Sequence, residues 1–242
     1  MQTTLCFDFG NTRLKCAIFN GKELKDVVVM DNDANTTIEN LVQQHAAAKS
    51  IVSSVINHNP GVDEILAQQT TFHKLGYASK LPITIPVGKP ETVGADRLAI
   101  CAAAVDLYPH HHNLAIGLGT CITYNYINKF HEFLGGSISP GMNMRFRAMH
   151  EQTALLPMIE AEHSFPLIGY DTKTNLLSGV ILGMAKEIDG IIEAYAEKYN
   201  HLRVSLTGGD MSFFVPHLKN KVIADPYLLF KGLFAISELN NV

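Results

Sequence analysis

Two stretches decide how this chain folds: CFDFGNTRLKCAIFNG at residues 6–21 and AIGLGTCITYNYINKF at residues 115–130. Laid side by side, Gly119 falls on Gly10, and each reads as strand, glycine turn, strand. In the first, Arg13 to Phe19 is strand-like, Asn20-Gly21 is a strong hairpin signal, and Leu24 to Met30 is the return strand. In the second, Leu114 to Ile116 leads through Gly117-Leu118-Gly119-Thr120 into Cys121 to Ile127. Asn128-Lys129 then turns the chain into Phe133 to Ser139. A pattern that begins again halfway along the chain points to duplication. We therefore expect two similar α/β domains, residues 1–112 and 113–242, facing across a cleft.

The remaining segments fill in that plan. Helices are expected at Thr37 to Ala48, at Pro60 to Gln69 with proline near the start, and at Ala95 to Leu107. Strands are expected at Ser50 to Val55, Thr71 to Leu75 and Ile83 to Val87. In the second half, a Pro140-Gly141 turn precedes helical segments and one long helix from Asn175 to Tyr199. A strand at Arg203 to Leu206 then meets Thr207-Gly208-Gly209-Asp210, and a last helix runs from Leu228 to Leu239.

Composition narrows the function classes. The chain has 242 residues, 47% hydrophobic and 17% charged, which is ordinary globular composition. A net charge of −4 gives no electrostatic footprint for nucleic acid. His110, His111 and His112 read as a loose surface tract rather than a metal site. Cys6, Cys16, Cys101 and Cys121 lie in apolar runs without zinc-like or disulfide-scaffold spacing, so buried free thiols are expected. The start of the chain lacks the basic and apolar pattern of a signal peptide, and no 18-residue apolar run marks a membrane span. The expectation is a soluble cytoplasmic protein.

Asp8 closes an apolar run and is followed at once by Gly10, Asn11 and Thr12. One reading is a sharp turn, since all these residues favour turns. The other is a phosphate site: such a turn exposes backbone N–H groups, Asn11 and Thr12 add donors, and the acid can hold Mg²⁺ or a metal-bound water. Gly119, Thr120 and Thr123 in the second hairpin, with Thr207 to Asp210, shift the balance toward a nucleotide. Phosphoryl transfer also requires a base at the acceptor. VGADR at 93–97 offers Asp96, with Arg97 able to grip an anion in a fork of hydrogen bonds. Capping of the following helix is the structural alternative for Asp96.

Taken together, Asp8-Phe9-Gly10-Asn11-Thr12, Gly94-Ala95-Asp96-Arg97, Gly119-Thr120 with Thr123, and Gly135-Gly136-Ser137-Ile138-Ser139-Pro140-Gly141 resemble the type III pantothenate kinases. Some relatives in that family are described as Bvg accessory factors. The resemblance spans nearly the whole chain. It implies duplicated RNase H-like (actin-like ATPase) domains with an interdomain active-site cleft, a homodimer, and ATP-dependent phosphorylation of pantothenate to 4′-phosphopantothenate, which opens coenzyme A synthesis. It further implies that Asp8, Gly10, Asn11 and Thr12 form the phosphate and Mg²⁺ loop. Asp96 becomes the base, Arg97 the partner of the pantothenate carboxylate, and Gly94 shapes their loop. Gly119, Thr120 and Thr123 become the second phosphate-side hairpin, and Thr207, Gly208, Gly209 and Asp210 approach the nucleotide. Thr172, in GYDTKT, resembles a threonine that reaches pantothenate across the dimer interface.

The chain also departs from the family pattern. Gly117 stands where the second hairpin usually opens with aspartate, Asn125 where a second acid is common, and Val87 near the place of an aromatic. The family's monovalent cation, K⁺ or NH₄⁺, thereby loses its carboxylate. A catalytically weak homologue that binds nucleotide or pantothenate and acts through a partner is the competing reading. Another small-molecule kinase on the same fold is a third, because fold does not set substrate. A nuclease fits less well, given the acidic net charge.

Overall fold

The computed structural model describes residues 2–86 and 88–241. Val87, which closes one expected strand and marks the place of the family's aromatic, lies outside the described residues. The chain forms two units. The first takes the described residues up to Pro109, His131–Leu134 and those from Tyr227 onward; the second takes His110–Phe130 and Gly135–Pro226.

In the first unit, β1 (Thr3–Phe9), β2 (Leu14–Asn20), β3 (Glu23–Met30), β4 (Ala47–Ser54) and β5 (Thr71–Lys74) form a five-stranded sheet in the order β3-β2-β1-β4-β5. β1 pairs antiparallel with β2 and parallel with β4. Successive side chains of a strand point to opposite faces, and β1 is covered on both. Leu5, Phe7 and Phe9 face Ile38, Leu41 and Val42 of α1 (Asn35–Gln44) and Val62, Ile65 and Leu66 of α2 (Gly61–Gln69). Cys6, with Ala17 and Ile51, faces Leu98, Ala99 and Ala102 of α3 (Ala95–Leu107) and the C-terminal helix. This alternation has a consequence for chemistry. Asp8, two residues beyond Cys6, belongs to the α3 side.

The second unit repeats the path. Its strands are β6 (Asn113–Leu118), β7 (Cys121–Ile127), β8 (Phe133–Pro140), β9 (Arg203–Thr207) and β10 (Ile223–Ala224), in the order β10-β9-β6-β7-β8. β6 again pairs antiparallel with the next strand and parallel with the fourth. The two hairpins differ by one residue. Phe9 pairs with Leu14 across four residues, 10–13, whereas Leu118 pairs with Ile122 across three, 119–121. The core joins Leu114, Ile116, Tyr124, Met184, Ile188 and Leu206 with Phe146 of α4 (Met142–Glu151) and Phe214 of α7 (Met211–Phe214).

The sequence places a boundary at 112/113, while the observed division is interleaved, because the last helix, α8 (Leu228–Asn240), packs in the first unit. A Cβ on Gly232 would lie 1.8 Å from the Ala99 carbonyl oxygen, so only glycine permits that approach of α8 to α3. Asn241 donates to the Ser50 carbonyl at 2.9 Å, and Phe234 stacks on Phe19 at 4.5 Å between ring centroids. Other differences have local causes. The helix expected to reach Ala48 stops at Gln44, because Ala46 is left-handed (φ 45°) and Ala47 already pairs beside Thr3. The strand expected from Ile83 is a single bridge between Thr84 and Glu132. The long helix is α5 (Thr172–Leu177) and α6 (Gly183–Lys198), separated by one wide π turn at Ser178–Leu182.

All four thiols are free; Cys6, Cys16 and Cys101 are buried and Cys121 is half-buried. His112 is not loose. Its Nδ1 lies 2.7 Å from the Tyr126 hydroxyl, and its ring stacks on Tyr199. Among the described residues, no helix is long and apolar enough to cross a membrane.

Candidate active site

The first unit brings Asp8 and Asp96 together. Strand alternation turns Asp8 toward α3, whose first turn carries Asp96. Burial, and then the charge of Asp96, push the Asp8 carboxyl from 3.8 up to about 7; Lys15 pulls the other way. Lys15 is the antiparallel partner of Asp8 on β2, so the two side chains share a face. A half-buried carboxylate repelled by a second one is a site short of positive charge.

Asp96 is also raised by burial. The backbone N–H of Arg97 and the Arg97 guanidinium act in the opposite direction. The capping expectation and the catalytic one are thus compatible, since the carboxylate takes N–H groups of the helix start while staying in a site. Gly94 makes room for it: a Cβ there would sit 2.6 Å from Asp96 Oδ1. The guanidinium of Arg97 lies over the Phe133 ring at 5.6 Å.

Beyond Asp8 the chain turns sharply. Gly10 N–H donates to the Arg13 carbonyl at 3.2 Å, leaving Asn11 and Thr12 exposed at the tip. The root of the turn is braced from β4. Val55 N–H donates to the Phe9 carbonyl at 3.1 Å, and the His58 ring meets Phe9 edge-on at 5.1 Å. His58 is held in turn by Ser54 Oγ at 2.9 Å and Asp63 Oδ1 at 3.1 Å.

The second unit joins its own two turns. Gly208 has φ +103°, and a Cβ there would lie 2.1 Å from the Leu118 carbonyl oxygen. That close approach lets Asp210 N–H donate to the same carbonyl at 3.2 Å. Gly141 N–H closes the other side on the Thr120 carbonyl at 3.1 Å. Gly119, Thr120, Gly208 and Gly209 are exposed, and a Cβ on Gly119 or Gly209 would meet open space. Thr207 is buried at 3% exposure, so it supports the turn rather than forming its surface. Gly119 N–H is already given to the Cys121 carbonyl at 3.0 Å.

By sheet register, Gly117 occupies the place of Asp8: it pairs with Thr123 and Thr207 as Asp8 pairs with Lys15 and Ser53. Its neighbours are neutral. Asn125 is fully buried, with Nδ2 donating to the Ala115 carbonyl at 3.0 Å and to Thr123 Oγ1 at 3.3 Å. Among the described residues, no group of three His, Cys, Asp or Glu side chains could hold a metal. Thr172 starts α5 on the exposed surface, behind a capping box in which Thr174 N–H donates to Asp171 Oδ1 at 2.7 Å. It has none of the ties that join the 119–120 and 207–210 turns.

Sequence reasoning missed Lys15 and Ser53. Both were findable, because they are the cross-strand neighbours of Asp8 once the hairpin and the parallel strand are placed.

Two sheets of one topology, a glycine-turned hairpin in each, and a half-buried acid pair define a duplicated α/β fold with a candidate phosphate site. Comparison with known proteins gives the family. The sequence model of type III pantothenate kinase matches residues 4–194. The type III pantothenate kinase of Christiangramia forsetii is 38% identical over 239 residues, covering 98% of each chain. A solved structure described as a Baf family transcriptional activator from Campylobacter jejuni aligns over 97% of each chain with a TM-score of 0.60 and 21% identity. Component A of the (R)-2-hydroxyglutaryl-CoA dehydratase of Acidaminococcus fermentans aligns over 100% of this chain and 98% of that one, with a TM-score of 0.55 and 13% identity. These two show the shared fold. This chain belongs to the type III pantothenate kinase family.

Proposed function

We propose that the chain phosphorylates pantothenate with ATP, giving 4′-phosphopantothenate and ADP, with Asp96 as the base and Arg97 as the carboxylate partner. The observation that carries this reading is the half-buried Asp8–Asp96 pair, where the end of β1 meets the start of α3. Burial makes Asp96 more basic than an exposed aspartate, which suits it to take the proton of the pantothenate hydroxyl as that oxygen attacks the γ-phosphorus. The oxygen–phosphorus bond to ADP breaks as the new one forms. Arg97 supplies a planar fork for the substrate carboxylate. Gly94 holds open the space for the base.

Asp8 takes the metal side of the phosphates, with Gly10, Asn11 and Thr12 at the turn beyond it. The residues fit Mg²⁺, an ion that keeps several waters and leans on few carboxylates. Asp8 is a half-buried acid raised by its surroundings, which a cation would reverse, and Lys15 adds charge on the same face. When bound, the ion neutralises developing phosphate charge. Gly119, Thr120 and Thr123 take the nucleotide together with Gly208, Gly209 and Asp210, on the turn that buried Thr207 supports. A K⁺ or NH₄⁺ carboxylate does not fit at the second hairpin, where Gly117 has no side chain and the Asn125 amide is used internally.

The active form is a homodimer in which Thr172 serves the partner's pantothenate. Support comes from the chain before it, where Leu155, Leu167, Ile168 and Tyr170 are between 75% and 92% exposed and offer apolar side chains to a second copy. Light scattering tests this, and an active monomer at assay concentration would remove the role given to Thr172. The residue roles are tested by calorimetry with pantothenate and with MgADP. Arg97→Lys should weaken pantothenate binding and spare MgADP; equal weakening of both would contradict the assignment.

A further inference from the structure

The glycine-rich stretch 135–141 ends against the second hairpin turn. Gly141 N–H donates to the Thr120 carbonyl at 3.1 Å. A Cβ on Gly141 would lie 2.1 Å from the Gly119 carbonyl oxygen and 2.7 Å from that of Thr120, so backbone is pressed directly on backbone. The exposed Gly119–Thr120 turn therefore follows the end of β8. One side chain fixes that end. Arg145, in the first turn of α4, folds back on it, with Nε donating to the Pro140 carbonyl at 2.9 Å and Nη2 to Ser139 Oγ at 3.0 Å. The same Nη2 pairs with Glu187 Oε2 of α6. Glu187 Oε1 in turn accepts from the hydroxyl of Tyr124, a fully buried residue of β7, at 3.1 Å. Burial, and then the Glu187 charge, push that hydroxyl well above its ordinary pKa, so it stays a donor.

The Arg145 and Glu187 side chains are only 22% and 25% exposed, where an ion pair is screened less than on open surface. Such a pair is a weak source of stability, because desolvation offsets the attraction. What it supplies here is direction, since the N–H groups of a planar guanidinium leave it at fixed angles. We propose that Arg145, anchored by Glu187, is a further positioning residue of the phosphoryl transfer: through Ser139, Pro140 and Gly141 it holds the Gly119–Thr120 turn in the geometry that grips the nucleotide phosphates. This rests on the kinase reading above. The glycine-rich stretch thereby gains a task, as a strut between α4 and the turn. Arg145 acts through backbone and touches no substrate itself.

The test uses the full chain. Arg145→Lys keeps a charge opposite Glu187 but loses the fork, so the unliganded Tm should stay close to wild type. MgADP affinity by calorimetry should nevertheless fall roughly tenfold, the kind of loss a slightly misplaced binding group gives. Pantothenate affinity should be unchanged, and in turnover the KM for ATP should rise while that for pantothenate does not. Glu187→Gln removes the anchor and should weaken MgADP by a similar factor. The double variant should be no weaker than either single one, as expected of two residues acting as a unit. Arg147→Lys is the control, exposed on the same helix two residues further on, and should leave MgADP binding at the wild-type level. Ser139→Ala removes one acceptor of the fork and should weaken MgADP in the same sense, which keeps the question answerable if Arg145→Lys folds poorly. A lower Tm of Arg145→Lys with normal MgADP affinity would overturn the proposal, since the network would then be a structural clamp only. So would equal weakening of MgADP and pantothenate, or full MgADP affinity in Ser139→Ala beside a poorly folding Arg145→Lys. If wild type binds neither MgADP nor pantothenate, the kinase reading itself fails, which is a different result.

Discussion

Replacing Asp8 with asparagine should make the unliganded protein more stable at pH 8 while removing its grip on MgATP. The magnitude follows from the site. Burial and the Asp96 charge lift the Asp8 carboxyl from 3.8 to about 7, roughly three units. At about 1.4 kcal/mol per unit, holding Asp8 ionised in the native state costs about 4 kcal/mol. The sign runs opposite to that of a salt-bridged aspartate. Between pH 4 and 7 the unfolded chain has released this proton and the native chain still binds it, so stability falls as pH rises across that window. The penalty is fully developed above the folded value and absent below the unfolded one. Asparagine keeps the shape without the charge. Urea unfolding of both proteins should therefore show a gain that grows by ~2–3 kcal/mol from pH 5 to pH 8. MgADP should stabilise wild type and leave Asp8→Asn nearly unmoved. A gain of equal size at both pH values, or a less stable variant at pH 8, would refute the electrostatic argument.

The other perturbations act at single atoms. Asp96→Asn should keep the fold and MgADP binding but lower turnover by ~10²–10⁴-fold, the usual loss when a general base is removed; wild-type turnover would return Asp96 to a capping role. Gly94→Ala puts a methyl 2.6 Å from Asp96 Oδ1, so turnover should drop with little change in Tm; unchanged kinetics would show that the carboxylate has room to move. Gly117→Asp adds a carboxylate at the sheet position matching Asp8, and turnover should acquire a dependence on K⁺ or NH₄⁺. A stably folded Gly117→Asp protein with unchanged ATP kinetics and cation response would mean the missing acid is irrelevant here.

The fold was legible because strand period and turn chemistry are local. CFDFGNTRLK and AIGLGTCITY announce strand–turn–strand without reference to anything distant, and α3 was readable from Ala95 to Leu107. What stayed hidden depends on packing across the chain. The placement of α8 with the first unit rests on Gly232 meeting Ala99, a contact between residues 133 positions apart (232 − 99). Local signals also failed where one angle decided the outcome, as at left-handed Ala46. In the site, Asp8 and Asp96 were readable as motif residues, but the reason they meet is not in either motif. It lies in the alternation that sends Cys6 and Asp8 to the α3 face. Lys15 and Ser53 carry no motif and emerge only from register.

The central claim is a phosphoryl transfer from ATP to pantothenate, and the most direct measurement is of its product. Purified protein would be incubated with ATP, Mg²⁺ and pantothenate in potassium- and ammonium-free buffer, and the mixture analysed by mass spectrometry. The account predicts a species one phosphate heavier than pantothenate, formed with an equal amount of ADP and absent with Asp96→Asn over the same interval. No phosphorylated pantothenate above a no-enzyme control, with or without added potassium or ammonium, would contradict it.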